Sequence, residues 1–120
     1  NSYSEVVNFD LKTGKPLKLA DLFNPGSKFL QAISTYSIQD LKKQSTEKLD
    51  SLLDDDWIQR GAGPKADNYK SWSITRKGLG IYFDSYQVGP YAAGPQRVVV
   101  PYSALKDIIK PDGPIAQFVK

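Results

Sequence analysis

The stretch Gly78–Tyr102, with the sequence GLGIYFDSYQVGPYAAGPQRVVVPY, predicts two β-strands that are joined by an unusually long connection. Every second residue from Leu79 to Phe83 is a large apolar residue, which is the period of a strand with one buried face. The β-branched residues Val98–Val100 form the second predicted strand, and Pro101 ends it. Two antiparallel strands need only a short turn between them, so the extra length of this connection indicates a role beyond joining the strands.

The connection Gln87–Gln96 is the best candidate for a binding site, because it is long, contains two Gly-Pro steps and carries an aromatic residue. We predict that Tyr86, Pro90 and Tyr91 form a rigid knob that inserts into a partner, since tyrosine gives a large contact area at low entropic cost. The alternative is architectural. In that case the Gly-Pro steps shape a tight crossing, and Tyr91 folds onto its own domain.

Upstream of this stretch, the sequence predicts a strand pair and one long helix. Tyr3–Phe9 and Pro16–Leu19 have the composition of short strands, and a turn separates them. Ser27 is a typical helix N-cap, and the apolar residues after it recur at helical spacing to about Lys43. Residues 44–53 either continue this helix or form a second one.

The elements around the opening stretch complete the predicted fold. Tyr69–Thr75 alternates like a half-buried strand, and its short connection to the next strand requires antiparallel pairing. Ser103 is expected to begin a closing helix that runs to about Lys110. These elements predict an α+β fold: a two-layer sandwich with an antiparallel sheet, one long helix packed on one face and a short C-terminal helix. The expected core is Phe9, Leu22, Phe29, Leu30, Ile33, Leu41, Trp72, Ile74, Leu79, Ile81, Phe83, Val98, Val100 and Leu105.

The composition excludes several classes of function. With 120 residues the chain predicts one domain, and it contains no apolar run near the ~20 residues that span a bilayer. It has neither His nor Cys, so it cannot supply a Ser-His-Asp or Cys-His nucleophile or the usual nitrogen and sulfur ligands of zinc. The net charge of +3 is mild, and the lysines are dispersed, which argues against nucleic-acid binding.

Two acidic features are weaker candidates for a site. Asp54–Asp56 could hold Ca²⁺, but the spacing of a calcium loop is absent, and a solvated turn beyond a helix end is the favoured interpretation. Asp84 with Glu5 or Asp10 could form a carboxylate pair of the glycosidase type, although their spacing does not suggest it. Arg60–Asn68, with two glycines and a proline, is predicted to be a loop.

Two tryptophans could stack on sugar rings. Trp72 lies in a strand with clear alternation, so burial in the core is favoured. Trp57 stands beside an isoleucine, and packing is favoured less strongly there.

Two blocks of the sequence, NFDLKTGKPLKLADLFNPGSKFL (Asn8–Leu30) and KGLGIYFDSYQVGPYAAGPQRVVVPYSALKDII (Lys77–Ile109), resemble a known family. This RsiV-type domain is shared by the C-terminal part of the lysozyme-binding anti-sigma factor RsiV and by the peptidoglycan deacetylase PdaC. The resemblance covers residues 9–29 and 71–109, and residues 39–70 match nothing specific. Family members carry more chain ahead of the first block, so we expect residues 1–120 to form one domain that lacks upstream residues.

The resemblance implies an extracytoplasmic location and no enzyme activity, because the deacetylase of PdaC is a separate domain. In RsiV the domain is a receptor for lysozyme. Many lysozymes are basic, as this chain is, so long-range attraction to such a partner is not expected.

We therefore predict a non-catalytic extracytoplasmic binding or sensor-type domain. Its ligand would be a protein, for example a lysozyme-like one, or a cell-wall glycan, and no cofactor, metal, nucleic acid or membrane insertion is expected. Two alternatives remain open at this point: a carboxylate-dependent cell-wall hydrolase and a structural accessory domain of a larger envelope protein.

Overall fold

The computed structural model describes residues 8–9, 13–47, 54–90 and 93–119 of the chain. Within these ranges the chain forms an α+β fold, as the sequence predicts, with a two-stranded and a three-stranded antiparallel sheet. The elements in chain order are β1 (Asn8–Phe9), β2 (Pro16–Leu17), α1 (Phe29–Glu47), α2 (Asp55–Gly61), β3 (Trp72–Ile74), β4 (Leu79–Phe83) and β5 (Gln96–Val100). Short 3-10 turns connect several of them.

The three-stranded sheet is the predicted antiparallel meander, in the order β3-β4-β5. Ile81 in the central strand pairs with Trp72 on one side and with Val98 on the other. These three side chains are buried, and so are Leu79, Phe83 and Val100, which lie two residues away on the same face of β4 and β5. Helix α1 packs against β5 and α2 and covers the apolar face with Ile33 and Leu41. The core therefore lies between this helix and the meander.

The other face of the sheet is built around a glycine. The hydroxyls of Ser73 and Tyr82 lie 2.7 Å apart, and the Tyr82 ring extends over Gly80. A Cβ atom at Gly80 would lie 3.1 Å from the Tyr82 hydroxyl. The Arg97 guanidinium stacks over the same ring at 5.7 Å from its centroid, a cation–π distance. An aromatic ring thus protects the weak point that glycine makes in a strand.

Helix α1 begins later than predicted, because the residues before it form a turn. The Ser27 N–H donates to the Asn24 carbonyl at 3.0 Å, and Gly26 has a φ of 80°, which a turn of this kind requires. The Ser27 hydroxyl is buried and finds no hydrogen-bond partner, so its predicted role as the N-cap is wrong. Within the described residues the helix runs to Glu47, so residues 44–47 continue it, which is one of the two predicted alternatives.

Helix α2 was not predicted, and its first turn is the acidic triplet. The Asp54 carboxylate caps the helix by accepting from the backbone N–H groups of Asp56 at 2.8 Å and Trp57 at 3.4 Å. Carboxylates are favourable at a helix N-terminus, where the backbone dipole is positive. The triplet lies beyond the last residue of α1, as expected, but it begins a second helix rather than forming a solvated turn.

The predicted closing helix from Ser103 is also replaced by a different structure. Tyr102–Ala104 forms one 3-10 turn, and further turns follow it. The backbone of the following residues bonds to the segment before α1: the Asn24 N–H donates to the Ile108 carbonyl at 2.8 Å, and the Lys110 N–H donates to the Leu22 carbonyl at 3.1 Å. The bond from Lys110 uses a backbone N–H that the predicted helix would need for itself.

Most of the predicted core is confirmed, but Phe9 is wrong because it is 56% exposed. The alternation of β1 has the opposite phase: the Asn8 side chain turns inward and donates to the Trp72 carbonyl at 2.9 Å. Phe29, Leu30 and Ile74 pack at the margin of the core. Buried residues that the prediction omitted include Phe23, Ile58, Tyr69, Val88, Tyr102, Ile109 and Ile115.

Each outer strand of the meander has one backbone carbonyl that points away from the sheet and accepts a hydrogen bond from a side-chain amide. On β3 the donor is Asn8, as described. On β5 the Gln44 amide of α1 donates to the Arg97 carbonyl at 3.2 Å and to the Asp40 carboxylate at 2.8 Å. One backbone acceptor at each side of the sheet is thereby satisfied.

Among the described residues, no helix combines the length and the apolar character that crossing a membrane would require.

Candidate functional site

The four residues Asp84–Gln87 form a tight turn that presents one aromatic side chain to solvent. The Gln87 N–H donates to the Asp84 carbonyl at 2.9 Å, which closes the turn. Tyr86 occupies its third position with a φ of 73°, in the left-handed region that usually requires glycine. The Tyr86 side chain is 62% exposed. We refer to this turn together with the three residues that follow it, residues 84–90, as the Tyr86 turn.

Helix α2 holds the backbone of Tyr86 in this conformation. The indole N–H of Trp57 donates to the Tyr86 carbonyl at 2.7 Å. Trp57 is half-buried, and its polar atom serves this contact, which agrees with the packing interpretation of this residue rather than with sugar stacking.

The Gln87 side chain provides further anchors for the turn. Its amide donates to the carbonyls of Gly61 at 3.0 Å and Asn68 at 2.8 Å, and its oxygen accepts from the Asp84 N–H at 3.2 Å. The approach to α2 is so close that a Cβ atom at Gly61 would lie 1.8 Å from the Gln87 carbonyl oxygen. Gly61 is therefore required for this contact, and three separate segments fix Gln87.

The end of α2 that receives Gln87 is in turn bound to α1. The Ala62 carbonyl accepts from the Ser34 hydroxyl at 2.6 Å and from the Tyr69 hydroxyl at 2.5 Å. All three residues are buried, and burial raises the pKa of the Tyr69 phenol. At the other end of α2, Lys42 and Asp55 form an exposed ion pair at 2.8 Å that lowers the pKa of Asp55. The support beneath the Tyr86 turn is thus continuous with the core.

The predicted binding loop divides into an architectural part and an exposed part. Val88 and Gly89 are buried, which fits the architectural interpretation for the stem of the loop. Pro90 is partly buried, and its carbonyl accepts from the Ala93 N–H at 2.9 Å. Of the three predicted contact residues, the structure places Tyr86 at the surface and Pro90 at the margin. Tyr91 lies outside the described residues.

The acidic residues do not assemble into a metal site within the described ranges. Asp54 caps a helix and Asp55 pairs with Lys42, so neither supports the calcium hypothesis. One oxygen of Asp84 is buried without a hydrogen-bond partner, which leaves an unused acceptor at the base of the Tyr86 turn. The proposed partners of Asp84 in a carboxylate pair, Glu5 and Asp10, lie outside the described residues.

The sequence prediction missed the residues that hold the turn: Trp57, Gly61, Asn68 and Gln87. One available signal was the pattern of Asp54 followed by two further acidic residues, which is typical of a capped helix start. That signal predicts α2 and therefore a support near the loop, but it does not specify which residues meet.

Comparison with known proteins identifies a relative that matches most of this chain. The peptidoglycan-N-acetylmuramic acid deacetylase PdaC of Bacillus subtilis (strain 168) is 31% identical over 106 residues, which cover 88% of this chain. The predicted resemblance to a domain of PdaC is thereby confirmed. The matched part is 22% of PdaC, so the chain spans about a fifth of that protein.

Two solved structures of DUF3298 family proteins show the same fold. The protein from Bacteroides fragilis NCTC 9343 has a TM-score of 0.63 and 24% identity over 95% of this chain and 43% of its own. The protein from Pseudomonas aeruginosa PAO1 has a TM-score of 0.60 and 22% identity over 88% of this chain and 45% of its own. The chain therefore spans less than half of either relative.

The model of the family described as "Protein of unknown function (DUF3298)" matches residues 20–103. This range includes α1, α2, the whole meander and the Tyr86 turn. The chain therefore belongs to the DUF3298 family of proteins of unknown function.

Proposed function

We propose that this chain is a non-catalytic binding or sensor-type domain that acts outside the cytoplasm and contacts its ligand through the Tyr86 turn. The observation that carries the proposal is the Tyr86 side chain, which is 62% exposed on a backbone with a φ of 73°. A non-glycine residue in this region is strained, and such strain concentrates at functional sites. Tyrosine is a poor choice for an ordinary turn at this position and a good choice for a contact residue.

The support around Tyr86 favours binding over a purely architectural role. Trp57 holds its carbonyl, and Gln87 ties the next residue to α2 and to Asn68. A backbone that is already held in its bound conformation loses little entropy when a partner binds to it. The turn thus has the properties of a preorganised anchor.

The location outside the cytoplasm is supported by the similarity to PdaC, whose name states an action on peptidoglycan. The candidate ligands are a protein, such as a lysozyme-like one, and a cell-wall glycan. Membership of the same group as the C-terminal part of RsiV would favour a protein ligand over a glycan ligand. The positive net charge of the chain disfavours long-range attraction to a basic protein, so direct contact at the turn would have to provide the affinity.

The test is binding of the chain to purified peptidoglycan sacculi, by co-sedimentation, and to lysozyme, by calorimetry at low salt. Tyr86→Ala should weaken the productive interaction by about 30-fold, the loss typical of a central aromatic contact. Phe9→Ala is the matched control because Phe9 is 56% exposed but lies on β1. Trp57→Phe keeps the Tyr86 ring and removes its support, so an intermediate loss is expected.

A Pro90→Ala/Tyr91→Ala double variant tests the remainder of the predicted knob in the same assays. If Tyr86→Ala and Phe9→Ala bind as the unmodified chain does, the Tyr86 turn is not the contact surface. If neither sacculi nor lysozyme is bound, both proposed ligand classes are refuted.

A further inference from the structure

A second concave surface lies on α1, on residues that the Tyr86 turn does not share. It is a groove of about 500 Å³ between the first three turns of α1 and the segment 104–108. Ala32, Tyr36 and Ile108 provide apolar surface inside it, and all three are partly buried. The groove is shallow and largely open to solvent, and its lining combines apolar surface with a few polar groups.

The polar residues of the groove define which ligands it fits. Gln31 and Gln39 are exposed amides that lie more than two helical turns apart. The Gln31 amide donates to the hydroxyl of Thr35, which also lines the groove, at 3.3 Å. Lys28 is the one ionisable acid or base among the lining residues other than the Tyr36 phenol. The groove therefore carries a single positive charge at one end and neutral hydrogen-bonding groups along its length.

We propose that this groove binds a short oligosaccharide whose sugars carry N-acyl groups and a carboxylate. The Tyr36 ring and Ile108 offer apolar surface to the C–H faces of sugar rings. Gln31 and Gln39 match the amide and hydroxyl groups of such a chain, and Lys28 pairs with its carboxylate. From Lys28 to Gln39 the helix advances about 16 Å, which is enough for several sugar units.

Other ligand classes fit these residues less well. A nucleic acid would require several cations, and the groove has one. An amphipathic helix would require a continuous apolar strip, but the amides and Lys28 interrupt the apolar surface. A single cation with neutral amides fits a ligand with one charge and many hydroxyl groups.

The test is a ¹⁵N NMR titration of the whole chain with two tetrasaccharides. One alternates N-acetylglucosamine and N-acetylmuramic acid and therefore bears carboxylates, whereas the other contains only N-acetylglucosamine. We expect saturable shifts of amides in residues 28–39 and 104–108, and at least threefold tighter binding of the carboxylated compound. Lys28→Gln should remove this preference and keep the weaker neutral binding. Lys106→Gln is the matched control, because Lys106 is exposed on the neighbouring segment but does not line the groove.

Tyr36→Phe and Tyr36→Ala complete the design. The first keeps the ring and should retain binding, whereas the second removes it and should abolish binding of both compounds; dispersed spectra of each variant report on folding. The proposal is overturned if no saturable shift occurs in the groove, or if the preference for the carboxylate survives in Lys28→Gln. It is also overturned if a short acidic peptide produces the same shifts with equal affinity. The groove would supply a contact for the glycan class named in the proposed function, so the two surfaces are separated by their variants. Binding to sacculi that survives Tyr86→Ala but is lost in Tyr36→Ala belongs to the groove, and the reverse pattern belongs to the Tyr86 turn.

Discussion

The strained backbone at Tyr86 leads to a prediction in which two substitutions at one position have different effects. Tyr86→Ala and Tyr86→Gly both remove the ring and all of its contacts, so those losses cancel when the two variants are compared. The variants differ in the residue that must adopt a φ of 73°. Alanine is strained there, and glycine is not. We therefore expect Tyr86→Gly to be the more stable of the two.

The magnitude follows from two opposing effects. A left-handed conformation costs a residue with a Cβ roughly 1–2 kcal/mol. Glycine loses about 0.5–1 kcal/mol more conformational entropy on folding than alanine. At the midpoints of these two ranges, the difference leaves Tyr86→Gly more stable by about 0.75 kcal/mol, which corresponds to roughly 2–5 °C in Tm for a domain of this size.

The assay is urea unfolding followed by tryptophan fluorescence, with equal m-values as a condition for comparing midpoints. Gly14→Ala is an internal calibration, because Gly14 has a φ of 71° and no atom lies within 4 Å of the position that a methyl group would take there. It should lose about the same free energy of unfolding that separates the two Tyr86 variants. If Tyr86→Gly proves equal to or less stable than Tyr86→Ala, while Gly14→Ala is destabilised, the backbone of Tyr86 is not strained.

Two further substitutions test the support of the turn. Gly61→Ala would place a methyl group 1.8 Å from the Gln87 carbonyl oxygen, so the backbone must move. We expect urea titration to show a loss of about 2 kcal/mol or more in the free energy of unfolding. A change below about 0.5 kcal/mol would contradict the contact. Burial raises the folded-state pKa of Tyr69 above the ordinary value of 10.0, so the folded state retains this proton longer than the unfolded chain. The contribution of Tyr69 to the free energy of unfolding should therefore be fully present below pH 10.0. It should be lost as the pH rises through the folded-state pKa of Tyr69. Tyr69→Phe should flatten this alkaline decline while Tyr102, whose pKa is also raised by burial, maintains part of it, and an unchanged slope would argue against the buried phenol as its source.

The meander could be predicted from the sequence because its signals are local. Alternation in β4 and the β-branched residues of β5 mark the strands, and short connections force antiparallel pairing. Helix α2 was harder to predict because Gly61 and Gly63 make the segment look like a loop, although Gly61 is there for close packing against Gln87. The phase of β1 was set by a distant contact, the bond from Asn8 to the Trp72 carbonyl, which no local pattern encodes.

The candidate site could also be predicted only in part: its exposed aromatic residue follows from the local sequence, but the contacts that hold it do not. An aromatic residue in a long loop is visible in the sequence, and Tyr86 was found in that way. Its left-handed backbone was not visible, because turn rules assign that conformation to glycine. The bonds of Gln87 reach Asn68 and Gly61 across 19 and 26 residues, so its role depends on the completed fold.

The two side-chain amides at the sides of the meander have a consequence for how separate molecules behave in solution. Outward carbonyls of a border strand are the groups to which a strand of another molecule would attach, and that attachment begins aggregation. Asn8 occupies the Trp72 carbonyl, and Gln44 occupies the Arg97 carbonyl. Each of these two carboxamides removes one acceptor from a border strand, so we expect their loss to favour pairing between molecules at high concentration.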